Sequence, residues 1–407
     1  MELFNRIFTQ LNTNRDKILQ GKVNCIPSPL PRFSDDFNGF EQGKYYVLTA
    51  NAKVGKTQLT NYLLFSALLY AFYNPKKIRL KIFYFNLEES EEVIALRFIS
   101  YLLYVFSNRS TRLGEKELMS LNNKALDPQI IEVLNQSPYK EILDFFEKTI
   151  EFRTERHPTG IVNTCEQYLR AHGKIIYKKQ PITDKESHEV KMVDAFDYYI
   201  PDDPDEYVMG VVDHISLTNP ESSLTLKQSI DLLSARFVKL RNNYKFIPIV
   251  VHQQAADQES VENFKLSKLK PSAMGLADSK YTGRDCNMML GLFSPARHDL
   301  REYMKYDITL FRDNIRFLEV VLNRNGASNS ICPLYFDGKI SYFEELPLPQ
   351  NIEGLQPFYD LIKQNRTTTT LLTLKLKKSK LWEKLLAFLV LQAKVKPRQS
   401  SSIQMVQ

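Results

Sequence analysis

The chain contains no uninterrupted apolar stretch of about 18 residues, the length at which a membrane-spanning helix becomes readable. Its start, Met1-Glu2-Leu3-Phe4-Asn5-Arg6, lacks the basic opening and apolar run of a secretory leader. Neither export nor a membrane partner is therefore expected, and the cytoplasm is the expected compartment. Cysteine is scarce: Cys25, Cys165, Cys286 and Cys332 are scattered, with no Cys-x-x-Cys pair and no histidine at metal-ligand spacing. That excludes a disulfide framework and a structural zinc site. No repeat of about 20 to 50 residues recurs, so a solenoid or propeller is excluded too. A broadly basic surface is also missing. The net charge is +7, but the segment from Leu361 onward carries +9 and leaves the other 360 residues at −2. Any polyanion site in the body must be a local patch.

What is present is a globular composition, 43% hydrophobic and 25% charged over 407 residues, enough for one large domain with appendages. Residues Glu2 to Gln20 place Phe4, Ile7, Phe8, Leu11, Ile18 and Leu19 near helical spacing. Such a helix either covers its own core or docks on a neighbouring subunit. Pro27, Pro29 and Pro31 then mark an extended linker.

From Gly43 the pattern is strand, loop, helix, strand: Tyr45 to Ala50, Asn51 to Thr57, Gln58 to Phe72, Lys81 to Leu87. Further apolar runs, Thr149 to Phe152, Val208 to Val212, Phe246 to Val251, Met288 to Phe293 and Leu318 to Leu322, suit strands buried on both faces. The expected fold is α/β, a mostly parallel twisted sheet flanked by helices. Between Gly173 and Asp205 two strand-like pieces, Lys174 to Tyr177 and Val190 to Tyr199, predict a hairpin inserted in that sheet. It ends in Asp202, Asp203, Asp205 and Glu206, a run expected to be solvated.

The chemistry is concentrated at strand ends. Strand Tyr45 to Ala50 leads into Asn51-Ala52-Lys53-Val54-Gly55-Lys56-Thr57-Gln58, a GxxxxGK[ST] phosphate loop with Ala50 in place of the first glycine. Gly55 lets the backbone amides curl toward phosphates, Lys56 reaches the β- and γ-phosphates, and Thr57 offers its hydroxyl to Mg²⁺. The cofactors implied are ATP and Mg²⁺. The second strand ends in Glu88 and Glu89, at the edge where a parallel sheet places its chemistry, and Glu88 is the candidate to polarise the attacking water. Val208 to Asp213 is an apolar strand closed by an acid, which assigns Asp213 to the metal. Phe246 to Gln254 is a strand ending in polar residues, of which Gln253 is the candidate γ-phosphate sensor. His252 is expected to serve packing.

With these motifs in order, the stretch from about Ile26 to Phe343 resembles the motor domain of DnaB-type replicative helicases, a RecA-like P-loop ATPase. The segment Ala277 to Asp285 resembles that family's DNA-facing loop, with Lys280 and Arg284 for phosphates and Tyr281 for stacking on a base. Val321-Leu322-Asn323-Arg324-Asn325-Gly326, then Leu334 to Gly338 and Tyr342-Phe343, resembles the closing hairpin, in which Arg324 occupies the arginine-finger position. The resemblance implies ATP hydrolysis at subunit interfaces of a homo-oligomeric ring, a hexamer in the family. It also implies single-stranded DNA in the channel during replication, and a primase or helicase loader as partner. Leu322 stands where the family usually has lysine, and the family's helical N-terminal domain is not seen. A compact motor of this kind suits a phage or mobile element. The expected boundaries are a docking helix at 1–25, the ATPase domain at 26–346 with an insertion at 173–206, and a basic, partly disordered tail at 347–407. Two alternatives stay open: a RecA-like recombinase or recombination mediator, and a weakly hydrolysing nucleotide-gated scaffold or loader, which Ala50 and Leu322 would favour.

Overall fold

The computed structural model describes residues 2–183, 190–265 and 268–367. A nine-stranded sheet organises the chain. Its strands, numbered along the sequence, are β1 (Tyr46–Ala50), β2 (Arg79–Asn86), β3 (Ile150–Arg153), β4 (Glu206–Asp213), β5 (Ile247–Gln253), β6 (Met288–Phe293), β7 (Ile315–Asn323), β8 (Ile331–Asp337) and β9 (Tyr342–Glu345). In space they lie in the order β9-β8-β7-β6-β1-β5-β4-β2-β3. The six from β6 to β3 run parallel, and β7, β8 and β9 are added antiparallel at one side.

The continuous apolar runs have the cause expected of them. Alternate residues of one strand enter opposite cores: Tyr46 and Leu48 of β1 lie in one, Tyr45 and Val47 in the other, and Ile82 and Tyr84 are separated from Phe83 and Phe85 in the same way. Helices α2 (Lys56–Tyr73) and α3 (Glu91–Phe106) cover the first face. Helices α4 (Pro158–Ala171) and α5 (Leu226–Tyr244) cover the second through residues such as Ile161, Cys165, Leu233 and Phe237. Each such apolar side chain contributes roughly 1.5–3 kcal/mol by leaving water. On β4 the close approach of α5's neighbour Phe246 requires Gly210, since a Cβ there would stand 2.5 Å from the Phe246 ring.

Several expectations need correcting. The extended segment marked by Pro27, Pro29 and Pro31 is more than a linker: Ile26, Leu30, Phe33, Phe37 and Phe40 are buried in the first core. The hairpin is longer than its two apolar pieces and is not part of the main sheet. Strands Gly173–Thr183 and Val190–Pro201 pair only with each other, and their base packs on Tyr168 and Tyr244. Its acidic end is not simply solvated. Asp205 is buried and ion-paired with Lys17 (2.7 Å) and Lys22 (2.6 Å), and Arg79 binds Asp203. Those two lysines anchor the N-terminal helix α1 (Glu2–Leu19) and the turn after it, yet among the described residues the apolar stripe of α1 is left uncovered, with Phe4, Phe8 and Leu11 all more than half exposed. Past residue 346, helix α6 (Ile352–Thr367) buries Leu355, Phe358 and Ile362 against Tyr335 and Phe311, so the packed body extends to this helix. The remainder of the basic tail, 368–407, lies outside the described residues.

Candidate functional site

β1 ends at Ala50 and the chain turns back on itself to open α2 at Lys56. The turn needs Gly55, whose φ of 108° favours glycine, and a Cβ there would also crowd Phe336 at 3.2 Å. Among the described residues no side chain caps the start of α2 and no acid sits in its first turn, so its leading amides face the loop without a side-chain partner there. That is the donor set a phosphate requires. Lys56 is buried and its ammonium donates to Gln253 Oε1 at 3.4 Å. Thr57 donates to Asp213 Oδ1 at 3.3 Å, and the Tyr84 hydroxyl lies 3.2 Å from both Asp213 Oδ2 and Asn61 Oδ1. Burial pushes the Asp213 carboxyl up to about 6, against the pull of Thr57 and Lys56. A buried carboxylate with a hydroxyl beside it and too little positive charge near it suits a divalent cation, so these residues fit a magnesium-bound nucleoside triphosphate.

The two acids after β2 have separate fates. Glu89 is held by the Arg97 guanidinium, which also binds Glu115 at 2.9 Å. Glu88 stays half exposed, with His214 Nε2 3.7 Å from its carboxylate. Of the two acids, Glu89 is tied up by an arginine and Glu88 is the one left accessible.

The structure brings together Lys56, Thr57, Asp213 and Gln253, with Glu88 linked to the group through His214, the residue after Asp213. It puts Arg324, Lys280, Tyr281 and Arg284 elsewhere. Met288 of β6 pairs with Tyr46 and with Asn323, whereas the phosphate loop follows Ala50, which pairs with Leu292. Arg324 therefore stands at the opposite end of the sheet from the phosphate loop of its own chain. Its Nε donates to the Cys286 carbonyl at 2.8 Å and its terminal nitrogen to the Arg284 carbonyl. Lys280, Tyr281 and Arg284 are exposed, and the last two lie on a short helix, Tyr281–Asp285, rather than on a loop. The Arg284 guanidinium lies 4.7 Å over the Tyr281 ring.

Sequence reading missed the groups that support the phosphate loop. Arg316, on β7, is fully buried: its Nε donates to the Val54 carbonyl at 2.7 Å, its other nitrogens hold Asp313, and it stacks 4.3 Å over Phe336. A charged residue inside the apolar run Ile315-Arg316-Phe317-Leu318 is the signal that could have found it. Asn51 donates to Glu259 at 3.0 Å, and Glu259 is in turn held by Arg297, which keeps its carboxyl below the usual range. Gln254 ties the chain after β5 to β1, its amide donating to the Ala50 carbonyl at 3.0 Å and its side chain to Thr49 at 2.9 Å. His252 has no access to solvent, and burial pushes its imidazole down to about 4, so it is neutral and structural, as expected.

No protein-family model and no curated protein matches the sequence. Solved structures do. The chain is similar to a structure described as an ATPase domain, with 14% identity over 84% of this chain and 99% of that one, at a TM-score of 0.57. It is also similar to a structure of a DnaB-like replicative helicase with its interactions with primase, with 14% identity over 82% of this chain and 65% of that one, at a TM-score of 0.54. The chain thus spans just under two thirds of that helicase. A RadB recombinase aligns at 12% identity, covering 78% of this chain and 97% of that one, with a TM-score of 0.41. The parallel sheet from β6 to β3 and the antiparallel strands added after β6 give this chain the fold of these ATPase-domain and DnaB-like helicase structures.

Proposed function

We propose that this protein is an ATP-dependent DNA helicase or translocase that works as a ring of identical subunits on single-stranded DNA. The observation that carries the reading is the division of the site. Lys56, Thr57, Asp213 and Gln253 are assembled at one end of the sheet, and Arg324 stands at the other, away from the phosphate loop of its own chain.

In this reading the amides of residues 51–57 and the Lys56 ammonium hold the phosphates. Thr57 and Asp213 hold Mg²⁺, which when bound offsets phosphate charge. Glu88 accepts hydrogen bonds from the attacking water and orients it. Gln253 exchanges its bond from Lys56 for one to the γ-phosphate, and so registers whether the nucleotide is intact. Arg324 of the neighbouring subunit places a cation where negative charge develops, so hydrolysis depends on assembly. Lys280 and Arg284 contact the DNA backbone, and Tyr281 stacks on a base once Arg284 releases its ring. The hexamer, and a primase or loader as partner, rest on the resemblance alone. No helix of the described residues is long and apolar enough to cross a membrane.

The test is unwinding of forked DNA with ATP and Mg²⁺, together with hydrolysis measured with and without oligothymidylate and a mass measurement in solution. Hydrolysis that single-stranded DNA does not stimulate, or full activity in a monomer, rejects the reading.

A further inference from the structure

Arg324 does not sit on an arbitrary surface. Both carbonyls that receive its guanidinium, those of Arg284 and Cys286, belong to the end of helix Tyr281–Asp285 and the residue after it. The backbone amide of Arg324 donates to the next carbonyl, that of Asn287, at 2.9 Å. The helix that presents Tyr281 and Arg284 outward is therefore the seat of the candidate finger.

The same helix is tied to the nucleotide end of the sheet. His252, one residue before Gln253, has its Nε2 2.7 Å from the Ala277 carbonyl and its Nδ1 2.8 Å from the Thr282 hydroxyl. A carbonyl only accepts, so Nε2 carries the proton and Thr282 donates to Nδ1. Ala277 returns a bond of its own, its amide donating to the Gln253 carbonyl at 3.0 Å. Both His252 and Thr282 are wholly buried, so water cannot replace either partner if one is removed. Gln253, His252, Thr282, the helix and Arg324 form one unbroken series of contacts.

We propose that helix 281–285 is the element through which bound single-stranded nucleic acid sets the position of Arg324, with His252 and Thr282 as the positioning pair that couples it to the nucleotide-sensing end of β5. This inference rests on the function proposed above. A polyanion drawing Lys280, Tyr281 and Arg284 toward itself shifts the carbonyls that hold Arg324, and thereby its reach toward a neighbouring subunit. The occupant of Gln253 is felt at the same helix through His252.

The full chain tests this in two ways. Hydrogen exchange of the wild-type protein, with and without oligothymidylate, should change at residues 284–287 and 322–326 when the oligonucleotide binds. Thr282→Val, which keeps shape and loses the hydroxyl, should retain ATP binding and DNA-free turnover within about twofold and lose roughly tenfold in stimulation by oligothymidylate. Thr282→Ser should restore it. Stimulation retained in Thr282→Val, or loss of ATP binding along with it, overturns the proposal. So does oligonucleotide binding that leaves exchange around Arg324 unchanged, an outcome that does not depend on the variant folding. A wild-type protein that neither binds oligothymidylate nor is stimulated by it fails earlier, and refutes the proposed function itself.

Discussion

Replacing Arg324 by alanine separates a finger that acts between subunits from an arginine that merely closes a hairpin. Tyr46, level with Asn323 across β6, is four residues from Ala50, so at ~3.3 Å per residue the start of the phosphate loop lies about 13 Å further along the sheet. The Arg324 side chain also points to the Arg284 and Cys286 carbonyls, which precede β6 and lie away from that loop. An arginine side chain, about 7 Å long, does not span that separation to the loop of its own chain. The structural cost of Arg324→Ala is two hydrogen bonds, one exposed and one partly buried, roughly 1–1.5 kcal/mol each. The catalytic cost of an absent finger is on the order of 10³ in turnover, or ~4 kcal/mol in barrier. The variant should therefore melt close to wild type, bind ATP normally and hydrolyse it very slowly. Lys56→Ala should fail differently, by losing the phosphate clamp. Mixed in equal amounts and allowed to exchange subunits, the two inactive proteins place an intact phosphate loop against an intact finger at roughly a quarter of interfaces in a closed ring. Steady-state hydrolysis of the mixture should recover to a comparable fraction of wild type. No recovery in a sample shown by mass measurement to contain mixed assemblies refutes action in trans and returns weight to the weakly hydrolysing scaffold.

The other predictions concern residues whose partners the fold reveals. Glu88→Gln should keep nucleotide binding and lose roughly 10²-fold in turnover. Glu89→Gln should keep turnover and instead lose about 1–3 kcal/mol of stability to urea, because it breaks the contact with Arg97; the reverse outcome would reassign the water-polarising acid. Arg316→Met should weaken nucleotide affinity as well as destabilise the fold by about 3 kcal/mol, since it strips the Val54 carbonyl and Asp313 of their buried donor. Unchanged affinity for a fluorescent ATP analogue would show that the phosphate loop does not depend on Arg316. His252 is pushed from its ordinary 6.5 down to about 4, so the unfolded chain takes up its proton first. Stability from this group is complete above pH 6.5 and is lost as pH falls from there through 4, by about 3 kcal/mol in all. His252→Gln should flatten that part of the urea midpoint against pH, and an equally steep profile in the variant would assign the acid sensitivity to other groups.

Much of this protein could be read from its chain because the relevant physics is local in sequence. A parallel strand buried on both faces must be a nearly unbroken apolar run, and its functional residue must come where the run stops. The candidates Lys56 and Thr57, Glu88, Asp213 and Gln253 are all legible in that way, and the sheet brings the ends of β1, β2, β4 and β5 to one edge. Gly55 belongs with them, because one turn demands its positive φ. Other features depend on which elements become neighbours, and periodicity carries no record of that. Asp205 resembles any solvated acid until α1 and the turn after it bring Lys17 and Lys22 to it. The stripe on α1 has the spacing of a core helix, but the described residues leave it exposed. The hairpin strands alternate like sheet strands, yet they pair with each other and with no strand of the main sheet. Arg316 supports a phosphate loop about 260 positions earlier in the chain, and Arg324 is turned away from that loop only because β7 runs antiparallel to β6. Burial and strand-end polarity are written residue by residue. Direction across a sheet and contact between distant segments exist only once the strands have been assembled.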